Sequence, residues 1–224
     1  MRIDILTLFP AMFYGVLKSS ILNLASKKEL IDVRLTDIRN FTYDKHRSVD
    51  DRPYGGGPGM LLKPEPVFRA VESIQSDLVP VPILLSPQGE RFSQCMAAEL
   101  SKESHLILIC GHYEGFDERI RTGLSPREIS IGDYVLTGGE IPAMVLLDTV
   151  ARLIPGVLGD QTSAEQESFG ADGLLEYPQY TRPPRWRNME VPSILSSGHH
   201  EKIRQWQEKQ ARERTKTRRP DLSH

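Results

Sequence analysis

The chain of 224 residues is 39% hydrophobic and 26% charged, and it contains 17 glycines and 16 prolines. This composition excludes a chain that is mainly disordered or collagen-like, and it predicts a sizeable hydrophobic core. The longest uninterrupted apolar stretch, 141–147, is too short to span a bilayer, and the first residues lack the pattern of a signal peptide. A cytoplasmic protein without a membrane partner is therefore expected.

Hydrophobic patterns predict strands that alternate with helices along the first 156 residues. In chain order they predict a strand at 2–8, a helix beginning at Pro10, a strand at 31–36, a helix at 63–74, a strand at 81–85, a helix at 93–101, strands at 106–110 and 128–131, and a helix at 141–154. This alternation, together with almost continuously apolar strands such as those at 82–85 and 106–109, favours an α/β fold with a mostly parallel sheet and helices on both faces. Ligands of such sheets bind at the carboxyl ends of the strands.

The pattern changes after residue 156. Residues 157–179 contain repeated glycines, five acidic residues and no basic residue, which predicts a flexible linker. Residues 180–224 contain a predicted helix at about 200–214, which indicates a small C-terminal helical domain. Residues 1–179 carry 17 basic and 25 acidic groups and residues 180–224 carry 11 and 5, so their net charges are −8 and +6. A basic end on an acidic body points to a polyanionic partner, although a solvated charged helix has the same composition.

Glycine-rich segments follow three of the predicted strands, at 86–89, 111–115 and 131–140. Because glycine lets the backbone approach a ligand closely, three such segments at one edge of the sheet suit an adenine and a ribose. The alternative is that each is only a tight turn closing a βα unit. A fourth segment, 48–60, is long, irregular and glycine-rich, and we interpret it as a lid or a substrate loop.

Common nucleotide-binding and hydrolase signatures are absent from the sequence. It contains no phosphate-binding loop of the GxxxxGK[ST] type, no GxGxxG, no HExxH and no GxSxG. Cys95 and Cys110 are the only cysteines, and they have no metal-ligand spacing with each other or with histidine.

Six motifs together resemble the bacterial tRNA (guanine-N1-)-methyltransferases of the SPOUT class. They are DRPYGGGPGM at 51–60, LSPQG at 85–89, GHYEG at 111–115, IGDYVL at 131–136, RLIPGV at 152–157 and YTRP at 180–183. The resemblance runs from the first strand to residues 219–222. It implies methylation of N1 of guanosine 37 in tRNA, with S-adenosylmethionine as the methyl donor. It also implies a homodimer and a trefoil knot in the sheet domain.

The resemblance assigns roles to the regions of the chain. Residues 1–156 are expected to form the knotted catalytic domain that binds the donor, 157–179 the linker, and 180–224 a helical domain that binds tRNA. The donor-binding residues that it implies are Leu84, Leu85, Ser86, Pro87, Gly111, Tyr113, Glu114, Gly115, Ile131, Gly132, Asp133, Tyr134, Val135, Leu136, Gly138, Gly139 and Pro142. The expected RNA-binding residues are Ser163, Arg182, Arg185, Arg214, Arg218 and Arg219.

The chemistry of this reaction needs a base and a cation. N1 of guanine carries a proton that must leave as N1 attacks the methyl group, and negative charge develops toward O6. Arg152 matches the catalytic arginine of the family, and Glu167 occupies the position of a base that is usually aspartate. The extra methylene of Glu167 displaces its carboxylate unless the linker compensates, and Glu165 and Asp172 are alternative bases.

Other functions remain open from the sequence alone. Some family members use a magnesium ion, but no carboxylate cluster in this sequence identifies a metal site. The enzyme alternative is a related knotted methyltransferase with a different RNA target. Two further alternatives are a non-catalytic RNA-binding protein, which predicts no donor binding, and a small-molecule-binding protein, which predicts no dependence on tRNA.

Overall fold

The computed structural model describes residues 1–159, 167–170 and 172–222. Contacts divide the chain into two compact units, Met1–Gly159 and Asp160–His224. Among the described residues, no helix is both long enough and apolar enough to cross a membrane.

The first unit contains a parallel sheet, several helices and a short antiparallel strand pair. Its strands are β1 (Arg2–Thr7), β2 (Asp32–Asp37), β3 (Asp50–Asp51), β4 (Leu61–Leu62), β5 (Val81–Arg91), β6 (His105–Cys110) and β7 (Arg127–Ser130). Its helices are α1 (Tyr14–Leu17), α2 (Ser20–Lys27), α3 (Pro64–Glu72), α4 (Gln94–Leu100), α5 (Glu118–Leu124) and α6 (Glu140–Ala151). Short 3₁₀ turns lie at Pro10–Phe13 and Ile38–Phe41.

The main sheet has the strand order β2-β1-β6-β5-β7, and every neighbouring pair in it is parallel. In the centre of this sheet Ile3 lies between Val33 and Leu106. The expectation of an α/β fold with a mostly parallel sheet is confirmed.

Hydrophobic side chains from the strands alternate between two cores, one on each face of the sheet. Ile83 and Leu85 belong to the core that also contains side chains of α2, α4 and α6. Leu84 and Ile107 belong to the opposite core, with side chains of α3 and α5. Because successive residues of a strand point to opposite faces, continuously apolar strands need helices on both sides. The structure confirms this arrangement.

Several elements differ from the sequence-based expectations. The helix predicted from Pro10 onward is interrupted between Leu17 and Ser20, where Ser20 has a left-handed φ of +50°. Helix α5 was not predicted. The segment 86–89, predicted as a loop, lies within β5, but the pairing shifts there because Leu85 and Glu90 both pair with Ile129. Those four residues are therefore not paired in register with β7, and they interrupt the pairing between two parts of β5.

The second unit contains a short hairpin and a long helix. Its described elements are β8 (Arg185–Trp186), β9 (Met189–Glu190), a 3₁₀ turn at Ser193–Ser196, α7 (His200–Arg218) and a 3₁₀ turn at Pro220–Leu222. Part of the segment predicted as a linker packs on α7. The backbone N–H of Leu175 donates to the hydroxyl of Thr215 at 2.8 Å, and Arg214 donates to the carbonyl of Glu176 at 3.2 Å.

Candidate functional site

A cavity lies at the carboxyl ends of β6 and β7 and beside residues 85–88 of β5, where the three glycine-rich segments meet. All of the expected donor-binding residues except Leu84 and Asp133 line this cavity. The side chain of Leu84 is fully buried in the opposite core, and Asp133 is exposed. Gln88, His112 and Thr137, which lie within the three glycine-rich segments but were not among the expected donor-binding residues, also line the cavity. Lining residues outside those segments that the sequence analysis did not single out are Phe116, Arg121, Ile129 and Ser130.

Glycine is required where two of the cavity segments touch. The N–H of Gly139 donates to the carbonyl of Gly111 at 2.7 Å, and His112 forms an isolated antiparallel bridge with Gly138. A Cβ on Gly139 would lie 2.6 Å from the nitrogen of Gly111 and 2.7 Å from Cα of Cys110. Because these neighbours are backbone atoms that cannot rotate away, only glycine allows the contact.

A buried carboxylate ties the cavity to the end of β1. Glu140, in the first turn of α6, is 2% exposed and accepts a hydrogen bond of 2.7 Å from the hydroxyl of Thr7. The same hydroxyl accepts a bond of 2.9 Å from the N–H of Phe9. Burial and, secondarily, the charge of Glu140 raise the pKa of the Cys110 thiol well above its usual value. Cys110 is therefore an inert, protonated thiol beside the cavity.

The long irregular segment is attached to the cavity by its backbone. The N–H of Glu114 donates to the carbonyl of Met60 at 3.0 Å, and the N–H of Leu62 donates to the carbonyl of Gly115 at 2.9 Å. Gly59 lies against Glu114, because a Cβ at that position would be 2.3 Å from Cγ of the glutamate. At the middle of the segment Tyr54 is fully exposed. The C-terminal part of this segment is therefore in contact with residues that line the cavity.

The two expected catalytic residues belong to different units. Arg152 is the C-terminal cap of α6 in the first unit, is half-buried, and its N–H donates to the carbonyl of Asp148 at 3.1 Å. Glu167 lies in the second unit, in a pocket that Asp172 also lines. Glu165, the other alternative base, lies outside the described residues.

The expected RNA-binding residues that the structure describes lie in the second unit. Arg182, Arg185 and Arg218 are exposed, and Arg214 is half-buried. The guanidinium of Arg219 lies 5.7 Å from the ring centroid of Phe169 and forms an ion pair of 2.6 Å with Asp221. The side-chain hydrogen bond to Asp221 raises the pKa of Arg219, so it remains a cation. Ser163 lies outside the described residues.

Metal-ligating side chains do not cluster in the part of the chain that the structure describes. No group there combines three or more histidine, cysteine, aspartate or glutamate residues in an arrangement that could hold a metal ion.

Comparison with known proteins gives matches over the whole chain. The family model described as tRNA (Guanine-1)-methyltransferase TrmD matches residues 1–224. Similar curated proteins are the tRNA (guanine-N(1)-)-methyltransferases of Brevibacillus brevis, 60% identical over 222 residues, and Geobacillus kaustophilus, 60% identical over 223 residues. That of Moorella thermoacetica is 59% identical over 226 residues. These alignments cover 99% of this chain, 91% of the first two relatives and 90% of the third.

Proposed function

Because the chain belongs to the tRNA (guanine-1)-methyltransferase family, we propose that it transfers a methyl group from S-adenosylmethionine to N1 of guanosine 37 in tRNA. The observation that carries the proposal is the glycine-lined cavity at the carboxyl edge of the sheet. Its segments coincide with the motifs that carry the family resemblance, so the cavity and the family point to the same ligand.

The cavity suits S-adenosylmethionine in its chemistry. Leu85, Ile129 and Pro142 supply apolar walls for a flat base, and the glycine-rich segments supply backbone amides and carbonyls. The carboxylate of Glu114, which also lines the cavity, suits a positively charged sulfonium. The bound donor supplies an electrophilic methyl group. The protein's task is to hold that group and the target base in line and to exclude water.

We assign the remaining chemistry to Arg152 and Glu167. Glu167 takes the proton from N1 as the nitrogen attacks, and Arg152 stabilises the negative charge that develops toward O6. This base assignment requires the second unit to bring its glutamate to the target nucleotide. The exposed arginines of that unit support the accompanying proposal that it binds the phosphates of the tRNA.

The assembly we propose is a homodimer. Apolar side chains remain exposed on α2, on α6 and on the turn before α1, although the sheet has buried its own core. On α6 they are Ile141 and Val145, which are 47% and 39% exposed and lie one turn apart. A second copy of the chain is the occupant that the family resemblance implies for such a face.

The resemblance also implies a trefoil knot, and we include it in the proposal. We propose the domain limits 1–156, 157–179 and 180–224. The free thiols of Cys95 and Cys110 and a tRNA substrate support a cytoplasmic location.

Transfer of a labelled methyl group tests the function directly. The purified protein is incubated with labelled S-adenosylmethionine and a tRNA transcript that carries either guanosine or adenosine at position 37. Label only in the guanosine transcript supports reaction, donor and target together. Equal label in both transcripts indicates another target nucleotide, and no label despite donor binding refutes the proposed substrate.

Variants of the two assigned residues test the mechanism. Arg152→Ala and Glu167→Gln are each expected to lower kcat by two orders of magnitude or more while donor affinity, measured by calorimetry, stays at the wild-type value. A Glu167→Gln enzyme with nearly full kcat would show that another group is the base. Glu167→Asp restores the usual family residue and is expected to retain activity.

A further inference from the structure

A positively charged surface lies on the first unit at residues 39–47, far along the chain from the basic C-terminal unit. This segment carries Arg39, Lys45 and Arg47 against one acid, Asp44, in a body whose net charge over residues 1–179 is −8. We call this segment, together with Arg69 of α3, the 39–47 surface.

The surface begins on a rigid turn. Ile38, fully buried, starts the 3₁₀ turn, and the carboxylate of Asp37 caps it by accepting the N–H of Arg39 at 2.9 Å. The hydroxyl of Thr42 donates to the carbonyl of Arg39 at 2.9 Å. Groups held in this way lose little conformational entropy when they bind a ligand.

One cation of the surface touches the donor cavity. The guanidinium of Arg39 donates to the hydroxyl of Tyr113 at 3.4 Å, and Tyr113 lines the cavity. Only the side chain of Tyr113 therefore separates a ligand bound by Arg39 from the donor cavity. Arg47 continues the cationic surface, and its guanidinium donates to the side-chain oxygen of Asn40.

The acid of the segment is engaged by the backbone. The carboxylate of Asp44 accepts the N–H of Ser48 at 3.0 and 3.1 Å, and this contact lowers the pKa of Asp44. Asp44 thus fixes the turn that presents Lys45 and Arg47, both of which are exposed. Asp44 keeps its negative charge, but the three cations of the segment outnumber it.

An aromatic platform completes the surface. Tyr43 is 85% exposed, and the guanidinium of Arg69 lies over its ring at 3.9 Å from the centroid. Arg69 is itself fixed, because it donates to the carbonyl of Phe41 at 3.2 Å. The contact holds the ring in place and leaves most of it open to solvent. An exposed, fixed aromatic ring beside cations is the arrangement that binds single-stranded nucleic acid.

We propose that the 39–47 surface is a second RNA-binding site, which takes the single-stranded nucleotides beside the target guanosine. Their phosphates contact Arg39 and Arg47, and one unpaired base stacks on Tyr43. The inference rests on the proposed tRNA substrate and adds to it a contact in the first unit. It explains how a target base is held at the donor cavity independently of the second unit.

Direct tRNA binding tests the surface with four variants. Arg47→Ala removes a phosphate contact, Tyr43→Ala removes the platform, and Tyr43→Phe keeps it. Lys102→Ala is the matched control, because it removes an exposed cation just before the amino end of β6, whereas the 39–47 surface follows the carboxyl end of β2. Filter binding of a tRNA transcript at several salt concentrations gives affinity and its salt dependence, and calorimetry gives donor affinity.

The stacking contribution predicts that Tyr43→Ala weakens tRNA binding roughly tenfold, whereas Tyr43→Phe retains affinity. Arg47→Ala is expected to reduce the slope of log affinity against log salt by about one, as for one lost phosphate contact. Donor affinity should be unchanged in all four variants. The inference is overturned if Tyr43→Ala and Arg47→Ala bind tRNA with the same affinity as Lys102→Ala. It is also overturned if these two variants lose as much affinity for the donor as for tRNA. If the wild-type protein binds tRNA but transfers no methyl group, the proposed function is refuted. The tRNA affinities of the variants still show whether the 39–47 surface binds RNA.

Discussion

The contact between Gly139 and the end of β6 predicts that one methyl group added at Gly139 lowers the stability of the fold substantially. In Gly139→Ala the new Cβ would lie 2.6 Å from the nitrogen of Gly111 and 2.7 Å from Cα of Cys110. Real Cβ atoms do not approach backbone atoms so closely, so one segment must move. The movement also strains the hydrogen bond of 2.7 Å between Gly139 and Gly111.

The magnitude follows from these two effects. Overpacking of a close-packed interior costs about 1–3 kcal/mol, and a weakened hydrogen bond adds about 0.5–1.5 kcal/mol. The free energy of unfolding should therefore fall by about 2–4 kcal/mol. In a protein of this size, this corresponds to a decrease in Tm of roughly 5–15 °C. Donor affinity should fall as well, because both segments line the cavity.

Gly15→Ala provides a matched control. Gly15 lies in α1, and a Cβ there meets no atom within 4 Å. The change should leave stability unchanged or raise it by up to about 1 kcal/mol, since alanine favours the helix. Thermal unfolding followed by circular dichroism, with calorimetry for donor binding, compares the two variants. Equal Tm and equal donor affinity in both would refute the argument from the glycine contact.

Three further predictions concern groups around the cavity. At pH 8 iodoacetamide should modify exposed Cys95 and spare Cys110, whose raised pKa keeps it protonated, and peptide mass spectrometry would reveal any contrary labelling. Thr7→Val should lower the free energy of urea unfolding by about 1–3 kcal/mol, because it leaves buried Glu140 without this donor; an unchanged midpoint would contradict this. The pKa of Asp117 is lowered chiefly by a side-chain hydrogen bond from the arginine two residues later. The ionised carboxylate should therefore stabilise the fold at pH values above the ordinary pKa of aspartate, and this stabilisation should be lost as the pH falls through the lowered pKa. The stability difference between wild type and Asp117→Asn should therefore shrink in acid, and a constant difference would argue against the pair.

Local sequence patterns were sufficient to predict where the main strands lie along the chain and that the cavity lies at their carboxyl ends, but not the order of the strands in the sheet. The central strands β5 and β6 are apolar on both faces, and this pattern can be read without knowledge of distant residues. The strand-end rule then brought 111–115 and 131–140 together, and both segments line the cavity. Residue pairs far apart in the sequence could not be found in this way. Thr7 and Glu140 are 133 positions apart, and neither the hydroxyl nor the carboxylate is unusual in its local sequence.

Strand pairing explains why the segment 86–89 lies within the bounds of β5. The composition of that segment, with a proline and a glycine, is typical of a turn. In the structure it falls within the bounds of β5, because β5 pairs with β7 both before the segment, at Leu85, and after it, at Glu90. Gly89 is needed for this pairing, since a Cβ there would lie 2.5 Å from backbone atoms of Glu128 and Ile129. A glycine that permits a close approach between strands has the same sequence signal as one that permits a turn.

Arg152 and Glu167 belong to different units. A change beside Glu167 is therefore expected to slow proton transfer without weakening donor binding in the first unit. The N–H of Gly170 donates to the carbonyl of Glu167 at 3.2 Å, so Gly170→Pro removes a bond that shapes the backbone of the proposed base. Gly170→Ala keeps the N–H and serves as the control. We expect kcat to fall at least tenfold in the proline variant only, with unchanged donor affinity in both, measured by methyl transfer and calorimetry. An unchanged kcat in Gly170→Pro would show that this turn does not position the base. A loss of donor affinity would show that the cavity depends on the second unit.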